Sequence, residues 1–490
     1  MRALGRIALG LVLILGVLVA VILVRTVTFK PPGVADASAV KIAPAVTVDL
    51  TAAAQRLSQA VQIQTVSHQD RADDQPAEWI RLHDFLATAY PAAHAAMTRE
   101  IVATNTLVYT WKGSDPSLAP VILMAHQDVV PVTAGTEGQW KHPPFSGAVA
   151  EGAVWGRGSI DDKGSLITLF EGLEGLAERG FKPRRTVIIV SGEDEETRGT
   201  GARAAAALLQ SRGVKAQFVL DEGLAVVTGS PLGAKLALIG VAEKGYATLV
   251  VTARAAGGHS SAPPADGGGV VVLSRAVAAI ADHGFPMEFR GPTAATLRSI
   301  APRAPFLTRM AVANAWLFKP LLIGQLGASP SGAALLHTTI APTMLRGSPK
   351  ENVLPQDATA WINYRIAPGD SSAGVMAKAR AAVGNLPVTL AWGETRVEPS
   401  AVSSTTSDGW KVLAAVAGQT TDAPVAPSLV TAGTDSRYLQ PVASDVYRFQ
   451  PMTFRVSETG MIHGTNEHLT LKNLEQSIQF YARLVATAAG

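Results

Sequence analysis

The chain contains no cysteine among its 490 residues, so disulfide bonds, thiolate metal sites and cysteine nucleophiles are all excluded. It also lacks a strong excess of either charge. Forty-two Lys and Arg residues stand against 39 Asp and Glu, and this net charge of +3 is too thinly spread for a nucleic-acid groove. There is no H-E-x-x-H, which excludes a thermolysin-like zinc site, and no G-x-S-x-G, which disfavours a serine hydrolase. What the chain does have is 47% hydrophobic residues, enough for a sizeable core.

The most apolar segment lies at the N-terminus. Residues 7–24 are an unbroken run of apolar residues and glycine, with Arg2 and Arg6 before it and Arg25 after it. As a helix this run would span roughly 27 Å, close to the thickness of a bilayer core. Its length and the lack of a clean cleavage site favour an uncleaved membrane anchor, and a cleaved signal peptide is the alternative. The two leading arginines predict an extracytoplasmic body, which would be secreted if the segment is cleaved.

Three short apolar runs, at 121–125, 186–190 and 218–220, predict strands that are buried on both faces. Between the first two, residues 163–179 have the apolar periodicity of an amphipathic helix, and Gly180 follows it. This alternation predicts an α/β fold with a mostly parallel sheet and helices on both of its faces. In such sheets, functional residues collect beyond the carboxyl ends of the strands.

From residue 244 onward the pattern changes. Residues 246–253 and 358–366 alternate like half-exposed strands, and 268–283 is helical. We therefore predict an inserted α+β domain over 244–390, a main domain of 49–243 and 391–490, and an anchor with its tether over 1–48. Within the insert, residues 300–326 are strongly apolar. They line an acyl pocket, rest at a membrane interface, or form a core or dimer contact.

Histidine and carboxylate residues follow each predicted strand. Each group has an ordinary explanation when taken alone: a polar pair at a strand end, a helix N-cap, or a solvated run of charge. Their repetition at three strand ends argues against coincidence. Oxygen and nitrogen ligands without sulfur suit zinc, cobalt or manganese. The residues are His126 and Asp128, Asp161, the carboxylates at 193–196, Asp221, and His463 near the C-terminus.

Six motifs in this order resemble the family of acetylornithine deacetylase, succinyl-diaminopimelate desuccinylase and carboxypeptidase S, and most of all its carboxypeptidase S and N-acyl-amino-acid hydrolase branch. They are AHQD, GRGSIDDKG, DEE, LDEG, GGHSSAP and MIHG. The resemblance implies two Zn²⁺ per chain, with cobalt or manganese as substitutes. His126, Asp161 and Asp221 would hold one ion, and Asp161, Glu196 and His463 would hold the other. Many family members have Glu at the position of Asp221.

The same resemblance implies roles for residues beyond the metal ligands. Glu195 would be the general base for a zinc-bound water, and Asp128 would orient His126. His259 in the inserted domain would stabilise the oxyanion, in its own subunit or across a homodimer formed through that domain. A solvated loop histidine is the alternative.

The substrate contacts implied by the resemblance are Asn352, Arg365, Gly433, Thr434 and Arg437. For Arg365, an ordinary strand-surface charge is the alternative.

These expectations combine into one functional hypothesis. The chain would be a membrane-anchored zinc metallopeptidase or amidohydrolase that cleaves an amide beside a free carboxylate, in a small peptide or an N-acyl amino acid. The rival is a catalytically lapsed, membrane-tethered binding protein on the same fold. The intact set of metal and base residues argues against that rival.

Overall fold

The computed structural model describes residues 2–229 and 235–490, and the chain divides into two units. The main unit comprises residues 33–241, 403–428 and 434–490. The insert unit comprises residues 1–32, 242–402 and 429–433.

The helices and strands are numbered in chain order. The helices are α1 (Arg2–Val27), α2 (Leu50–Gln62), α3 (Pro76–Ala89), α4 (Pro91–Ala96), α5 (Lys163–Glu178), α6 (Thr200–Ser211), α7 (Gly268–Asp282), α8 (Gly291–Ile300), α9 (Phe306–Ala313), α10 (Ala315–Gly327), α11 (Pro330–Ala334), α12 (Ser372–Val383), α13 (Asp408–Thr421) and α14 (Leu471–Ala489). The strands are β1 (Thr98–Val102), β2 (Thr106–Trp111), β3 (Val121–Met124), β4 (Ala148–Ala150), β5 (Ala153–Trp155), β6 (Val187–Ser191), β7 (Phe218–Thr228), β8 (Leu236–Glu243), β9 (Gly245–Arg254), β10 (Gly258–His259), β11 (Thr339–Arg346), β12 (Val353–Leu354), β13 (Asp357–Ile366), β14 (Val388–Val397), β15 (Val425–Val430), β16 (Val446–Arg455) and β17 (His468–Thr470).

The main unit is built on an eight-stranded sheet with the order β1-β2-β6-β3-β7-β16-β8-β15. Its centre is parallel, because β3 pairs with β6 and β7, and β7 pairs with β16, in the same direction. The β1–β2 hairpin joins β6 antiparallel, and β8 runs antiparallel to β7 and β16. The sheet is therefore mixed, and the expectation of a mostly parallel sheet is met only at its centre. Outside that centre, β2 and β8 run antiparallel to the central strands they pair with.

Both faces of this sheet are covered, as the apolar runs predicted. Along β3, Val121 and Leu123 pack into the core that includes α5 and α14, whereas Ile122 and Met124 pack with α6 on the opposite face. Successive strand side chains point to opposite faces, so a strand buried on both sides needs apolar residues throughout.

The segment that follows the first helix is attached to the main unit. The Ala43 amide donates to Thr487 Oγ1 at 2.9 Å, and the Val46 amide donates to Gln479 Oε1 at 3.0 Å. Both acceptors belong to α14, so the second half of the predicted tether is packed on that helix.

The insert unit has an antiparallel sheet with the order β11-β13-β9-β14 and a separate β10–β12 ladder. Apolar residues of α7 and α12 pack with this sheet in a second core. Because β14 pairs with β9, the insert extends beyond the predicted limit of residue 390, which falls inside β14. The pairing partner lies far away in sequence, so the local pattern around 390 did not show it.

The N-terminal helix is long and apolar enough to cross a membrane. Its candidate span is Arg6–Val27, and the most apolar 18 residues of this span have a mean hydropathy of 3.3. None of those 18 described residues is buried in the protein. A signal sequence has the same appearance. A second apolar element, α9 followed by α10, bends by 119° at Asn314.

Candidate metal centre

The predicted strand-end residues meet at one edge of the main sheet. Strands β6, β3 and β7 are parallel neighbours, so their carboxyl ends lie side by side. The turn before α5 brings Asp161 to this edge, and the loop before β17 brings His463. This arrangement is the one expected for a site at the carboxyl ends of parallel strands.

Asp128 fixes the orientation of His126. His126 is 3% exposed, and its Nδ1 lies 2.9 Å from the Asp128 carbonyl oxygen and 3.3 Å from Asp128 Oδ1. The Asp128 carboxylate also accepts hydrogen bonds from Ser67 Oγ at 2.6 Å and from the backbone amides of Glu195 and Glu196 at 3.1 Å. One buried carboxylate thus joins the end of β3 to the turn after β6. With Nδ1 facing Asp128, the ring directs Nε2 toward Asp161 and Glu222.

A second carboxylate lies between two histidines. Asp161 Oδ1 is 3.0 Å from His126 Nε2, and Asp161 Oδ2 is 3.0 Å from His463 Nε2. His463 Nε2 also lies 3.1 Å from Glu196 Oε2. The two oxygens of one carboxylate therefore face two separate imidazoles.

Two overlapping groups of side chains have ligand atoms within 4.8 Å of one another: His126 with Asp161 and Glu196, and His126 with Asp162 and Glu222. The expectation of Asp221 as a ligand differs from this arrangement. Glu222 Oε1 is 3.6 Å from His126 Nε2, whereas Asp221 Oδ2 accepts a hydrogen bond from the Ser436 amide at 2.9 Å. Glu222 is therefore a second candidate for this position, and Asp221 as a ligand stays a prediction.

Burial dominates the protonation of these carboxyl groups. It raises the pKa of Glu195 and of Glu222, and repulsion from neighbouring carboxylates raises both further. Burial and the charge of Asp161 raise the pKa of Glu196 to about 7, against an opposing hydrogen bond from His463. Such a cluster needs protons or a cation to be tolerated.

The pKa of Asp161, which lies between the two histidines, shifts in the opposite direction. Burial would raise the pKa of Asp161, but hydrogen bonds from His126 and His463 outweigh it and hold this pKa below its usual range. The hydrogen bonds to Asp161 and Glu196 in turn raise the pKa of His463 to about 10. Carboxylate oxygens and imidazole nitrogens in a largely buried cluster suit a divalent cation of the zinc, cobalt or manganese type.

A buried ion pair that the sequence did not reveal lies behind this cluster. Arg157 and Glu467 are 2% and 0% exposed, and Arg157 Nη1 donates to Glu467 Oε2 at 2.6 Å. Glu467 Oε1 accepts from the Asp161 amide at 3.2 Å, and Arg157 Nη2 donates to the carbonyl oxygen of His463 at 3.1 Å. The pair therefore connects the backbone at Asp161 and His463, two of the predicted ligands. Only the presence of Arg157 inside GRGSIDDKG hinted at it.

Two further buried carboxylates escaped the sequence-based assignment. Asp162 accepts from the His126 amide at 3.2 Å and from Gln450 Nε2 at 3.0 Å, so it holds the backbone at the end of β3. Asp435 is 4% exposed, and its pKa is raised by burial and by the charges of Asp221 and Asp128. Both residues stand beside predicted ones, in IDDKG and GTDSR, and this adjacency was the available signal.

His259 and Asn352 lie on adjoining backbone segments of the insert unit. His259 pairs with Val353 in the β10–β12 ladder, and the Ser260 amide donates to the Asn352 carbonyl oxygen at 3.1 Å. His259 Nδ1 accepts from the Ser261 amide at 3.1 Å, so the neutral ring carries its proton on Nε2. The side chain is exposed and presents that N–H as a donor.

Arg365 lies on β13, paired with Tyr246 of β9, and its guanidinium stands 4.8 Å from the centre of the Tyr246 ring. Lys244 is buried close by and donates to the carbonyl oxygens of Ala334 and His337 at 2.8 Å. Burial and the positive charge of Arg365 lower the pKa of Lys244 to about 8.

The predicted substrate segment at 433–437 crosses the boundary between the units. In the main unit, Thr434 Oγ1 lies 2.7 Å from Ser436 Oγ, and Arg437 Nε donates to the Thr434 carbonyl oxygen at 3.2 Å. Gly433 belongs to the insert unit. The hydrogen bond from Ser436 to Asp221 places the main-unit part of this segment beside the carboxylate cluster.

Comparison with known proteins decides the family. The sequence signature of peptidase family M20/M25/M40 matches residues 122–487, which is well over half of the chain. The chain belongs to this family. The resemblance read from the six motifs is thereby confirmed, and the M20 chain is a hydrolytic enzyme of a metal-dependent family.

Curated relatives support the branch that the motifs indicated. The M20 chain is 33% identical over 483 residues to a probable carboxypeptidase S-like 2 of Dictyostelium discoideum, covering 96% of this chain and 92% of that protein. It is 34% identical over 447 residues to the human N-fatty-acyl-amino acid synthase/hydrolase PM20D1, covering 88% and 87% of the two chains. It is 30% identical over 488 residues to carboxypeptidase S of Saccharomyces cerevisiae, covering 87% and 82%.

A solved structure shows the same fold. The M20 family metallo-carboxypeptidase of Sulfolobus solfataricus superposes with a TM-score of 0.65 at 14% identity, covering 90% of this chain and 99% of that one. The M20 α/β fold, with its mixed sheet and helices, is therefore the fold of this chain.

Proposed function

We propose that this chain is a dinuclear zinc hydrolase that cleaves an amide bond beside a free carboxylate, in a small peptide or an N-acyl amino acid. The observation that carries the proposal is the position of Asp161, whose two oxygens face His126 and His463 at 3.0 Å each. Glu196 would complete the ligands on the His463 side, and Glu222 those on the His126 side. A carboxylate shared in this way suits two cations rather than one.

Bound zinc would supply Lewis acidity and would lower the pKa of a coordinated water. The remaining work falls to residues of the chain, first of all to Glu195. Its backbone amide is held by Asp128, and burial raises the pKa of its carboxyl group, which makes it a stronger proton acceptor. In the proposed reaction Glu195 takes the proton of the attacking water and returns it to the leaving amine. His259 would donate its Nε2 proton in a hydrogen bond to the oxyanion.

The substrate class rests on the insert unit and on the relatives. Arg365 and Lys244 supply positive charge, and Arg365 offers two parallel donors that match the two oxygens of a carboxylate. The curated relatives carry the names carboxypeptidase S and N-fatty-acyl-amino acid synthase/hydrolase, and both kinds of substrate contain a free carboxylate. Asn352, Gly433, Thr434 and Arg437 would contribute further substrate contacts, and a homodimer through the insert unit stays a prediction.

We also propose that α1 remains attached and anchors the enzyme to a membrane, with the body outside the cytoplasm. The exposed apolar surface of α1 supports membrane insertion, because such a surface is costly in water, and the leading Arg2 and Arg6 support a body outside the cytoplasm. A cleaved signal sequence would leave the same enzyme secreted.

Metal analysis and one variant test the reaction. The purified chain should hold two zinc ions, and Glu195→Gln should keep them while turnover on an N-acyl amino acid falls by about 10²–10⁴-fold. Glu475→Gln, at an exposed position of α14, is the control for the substitution itself and should leave turnover unchanged. Activity that survives removal of all metal would refute the dinuclear proposal. Near-normal turnover of the Glu195 variant would move the base elsewhere.

A second pair of variants decides between the two candidate ligands on β7. Glu222→Gln should lower the zinc stoichiometry or affinity. Asp221→Asn should instead weaken the hydrogen bond from the Ser436 amide and leave zinc binding unchanged. The reverse result would restore the assignment that the motif indicated.

A further inference from the structure

We infer that the bent helix pair α9–α10 is a second membrane contact, which lies in the head-group region of an anionic bilayer beside the anchor helix. The inference rests on the proposed anchoring by α1 and adds a surface to it. The helix pair lies in the insert unit together with α1.

The bend of the pair is attached to the end of the anchor. Asn314, the residue between α9 and α10, is fully buried, and its Nδ2 donates to the Ile22 carbonyl oxygen and to Thr26 Oγ1 at 3.2 Å each. Arg25 Nη2 donates to the Ala313 carbonyl oxygen at 3.4 Å. These contacts involve the last turns of α1, where a membrane-spanning helix would leave the bilayer. The pair therefore lies at the depth of that interface.

The pair exposes large apolar side chains. Leu307 is 71% exposed, Trp316 58% and Leu321 50%, although Val312 and Leu322 on the same two helices are buried. Each helix thus has one face in the protein and one apolar face outside it. Helices that lie in the plane of a membrane surface bury an apolar face of this kind, and Trp is common at that depth.

The charged residues in the sequence around the helix pair also favour contact with an anionic bilayer. Between Glu288 and Glu351 the sequence contains no Asp or Glu, while the stretch around the two helices carries basic residues. This stretch of chain adds no carboxylate that lipid phosphates would repel, and its basic residues can pair with those phosphates. The basic residues closest in sequence to the pair, or within it, are Arg298, Arg303, Arg309 and Lys319.

The absence of cysteine permits a direct test with the full chain. Single cysteines replace Leu307, Trp316 or Leu321, carry an environment-sensitive fluorophore, and are studied in vesicles of phosphatidylcholine and phosphatidylglycerol. Ile14→Cys in α1 reports on the anchor, and Ile101→Cys, at a 55% exposed position of β1, is the control in the main unit. Fluorescence is quenched from the bilayer by doxyl-labelled lipid and from the water by iodide.

We expect labels at 307, 316 and 321 to be quenched strongly by doxyl lipid and weakly by iodide, and the label at 101 to show the opposite. Quenching of the label at 14 by lipid, with the three helix-pair labels quenched by iodide as strongly as the label at 101, would overturn the inference and leave the anchor intact. Labels shielded from both quenchers would also overturn it, because an acyl pocket or a second copy of the chain would then cover the pair. If the label at 14 escapes doxyl lipid, the anchoring proposal itself fails.

Discussion

The Arg157–Glu467 pair offers a sharp test of how the metal centre is held. Arg157→Met keeps most of the side-chain length but leaves Glu467 buried without its cation. Breaking a buried pair in this way costs about 3–5 kcal/mol, which is a large part of the roughly 5–15 kcal/mol that stabilises a domain. Because Glu467 also accepts from the Asp161 amide, and Arg157 donates to the carbonyl oxygen of His463, both ligand positions should loosen. We expect zinc affinity to fall by about 10–100-fold.

Glu467→Gln is the milder companion, since its amide oxygen can still accept from the Asp161 backbone. The matched control is Arg56→Leu, which breaks the Arg56–Glu171 pair between α2 and α5 in the same unit. Its loss should also lower stability, because the Glu171 side chain is only 8% exposed, but zinc affinity should stay unchanged because neither residue contacts a predicted ligand. Urea unfolding in the presence of a chelator measures the free energy of unfolding, and competition with a chromophoric chelator measures zinc affinity. If Arg157→Met loses stability but binds zinc as the unmodified chain does, the pair only supports the fold, and its proposed link to the ligands is refuted.

Three further outcomes follow from the site. Asp128→Asn should lower zinc affinity or turnover by about 10–100-fold, because an amide cannot accept all the hydrogen bonds that this carboxylate receives. Metal titration and kinetics measure the two quantities. Unchanged values would mean that Asp128 is an ordinary strand-end residue with no part in zinc binding or turnover. Zinc binding should release protons, and zinc affinity should rise as the pH is raised from about 6 to about 8. The reason is that the pKa of His463 is raised to about 10 and that of Glu196 to about 7 in the metal-free protein, so zinc has to displace their protons. Calorimetry in buffers of different ionisation enthalpy counts those protons, and their absence would contradict the ligand set. Amidating the substrate carboxylate should lower kcat/KM by at least about 10²-fold, and Arg365→Ala should do the same on the acid but add little on the amide; equal cleavage of acid and amide would leave Arg365 as a surface residue.

The elements with strong local patterns were predictable from the sequence. The helical periodicity of residues 163–179 became α5, which ends one residue earlier, and the apolar runs at 121–125 and 186–190 became β3 and β6. Their position as parallel neighbours explains why the strand-end residues converge. The mixed sheet and the end of the insert were not predictable in the same way, because both depend on pairings between distant segments. The β14–β9 ladder is the clearest example, since neither strand signals the other locally.

The choice between Asp221 and Glu222 shows where the motif stops being informative. Both carboxylates end the same apolar run, and either side chain is chemically suited to bind zinc. Successive residues of a strand point to opposite faces, so adjacent carboxylates are not interchangeable once the register of β7 is set. In this register Glu222 Oε1 lies 3.6 Å from His126 Nε2, and Asp221 Oδ2 accepts a hydrogen bond from the Ser436 amide. The register depends on the pairing of β7 with β3 and β16, which are distant in sequence. Tertiary contacts therefore decide which of the two carboxylates binds zinc. The zinc stoichiometry of Glu222→Gln and of Asp221→Asn is the measurement that distinguishes them.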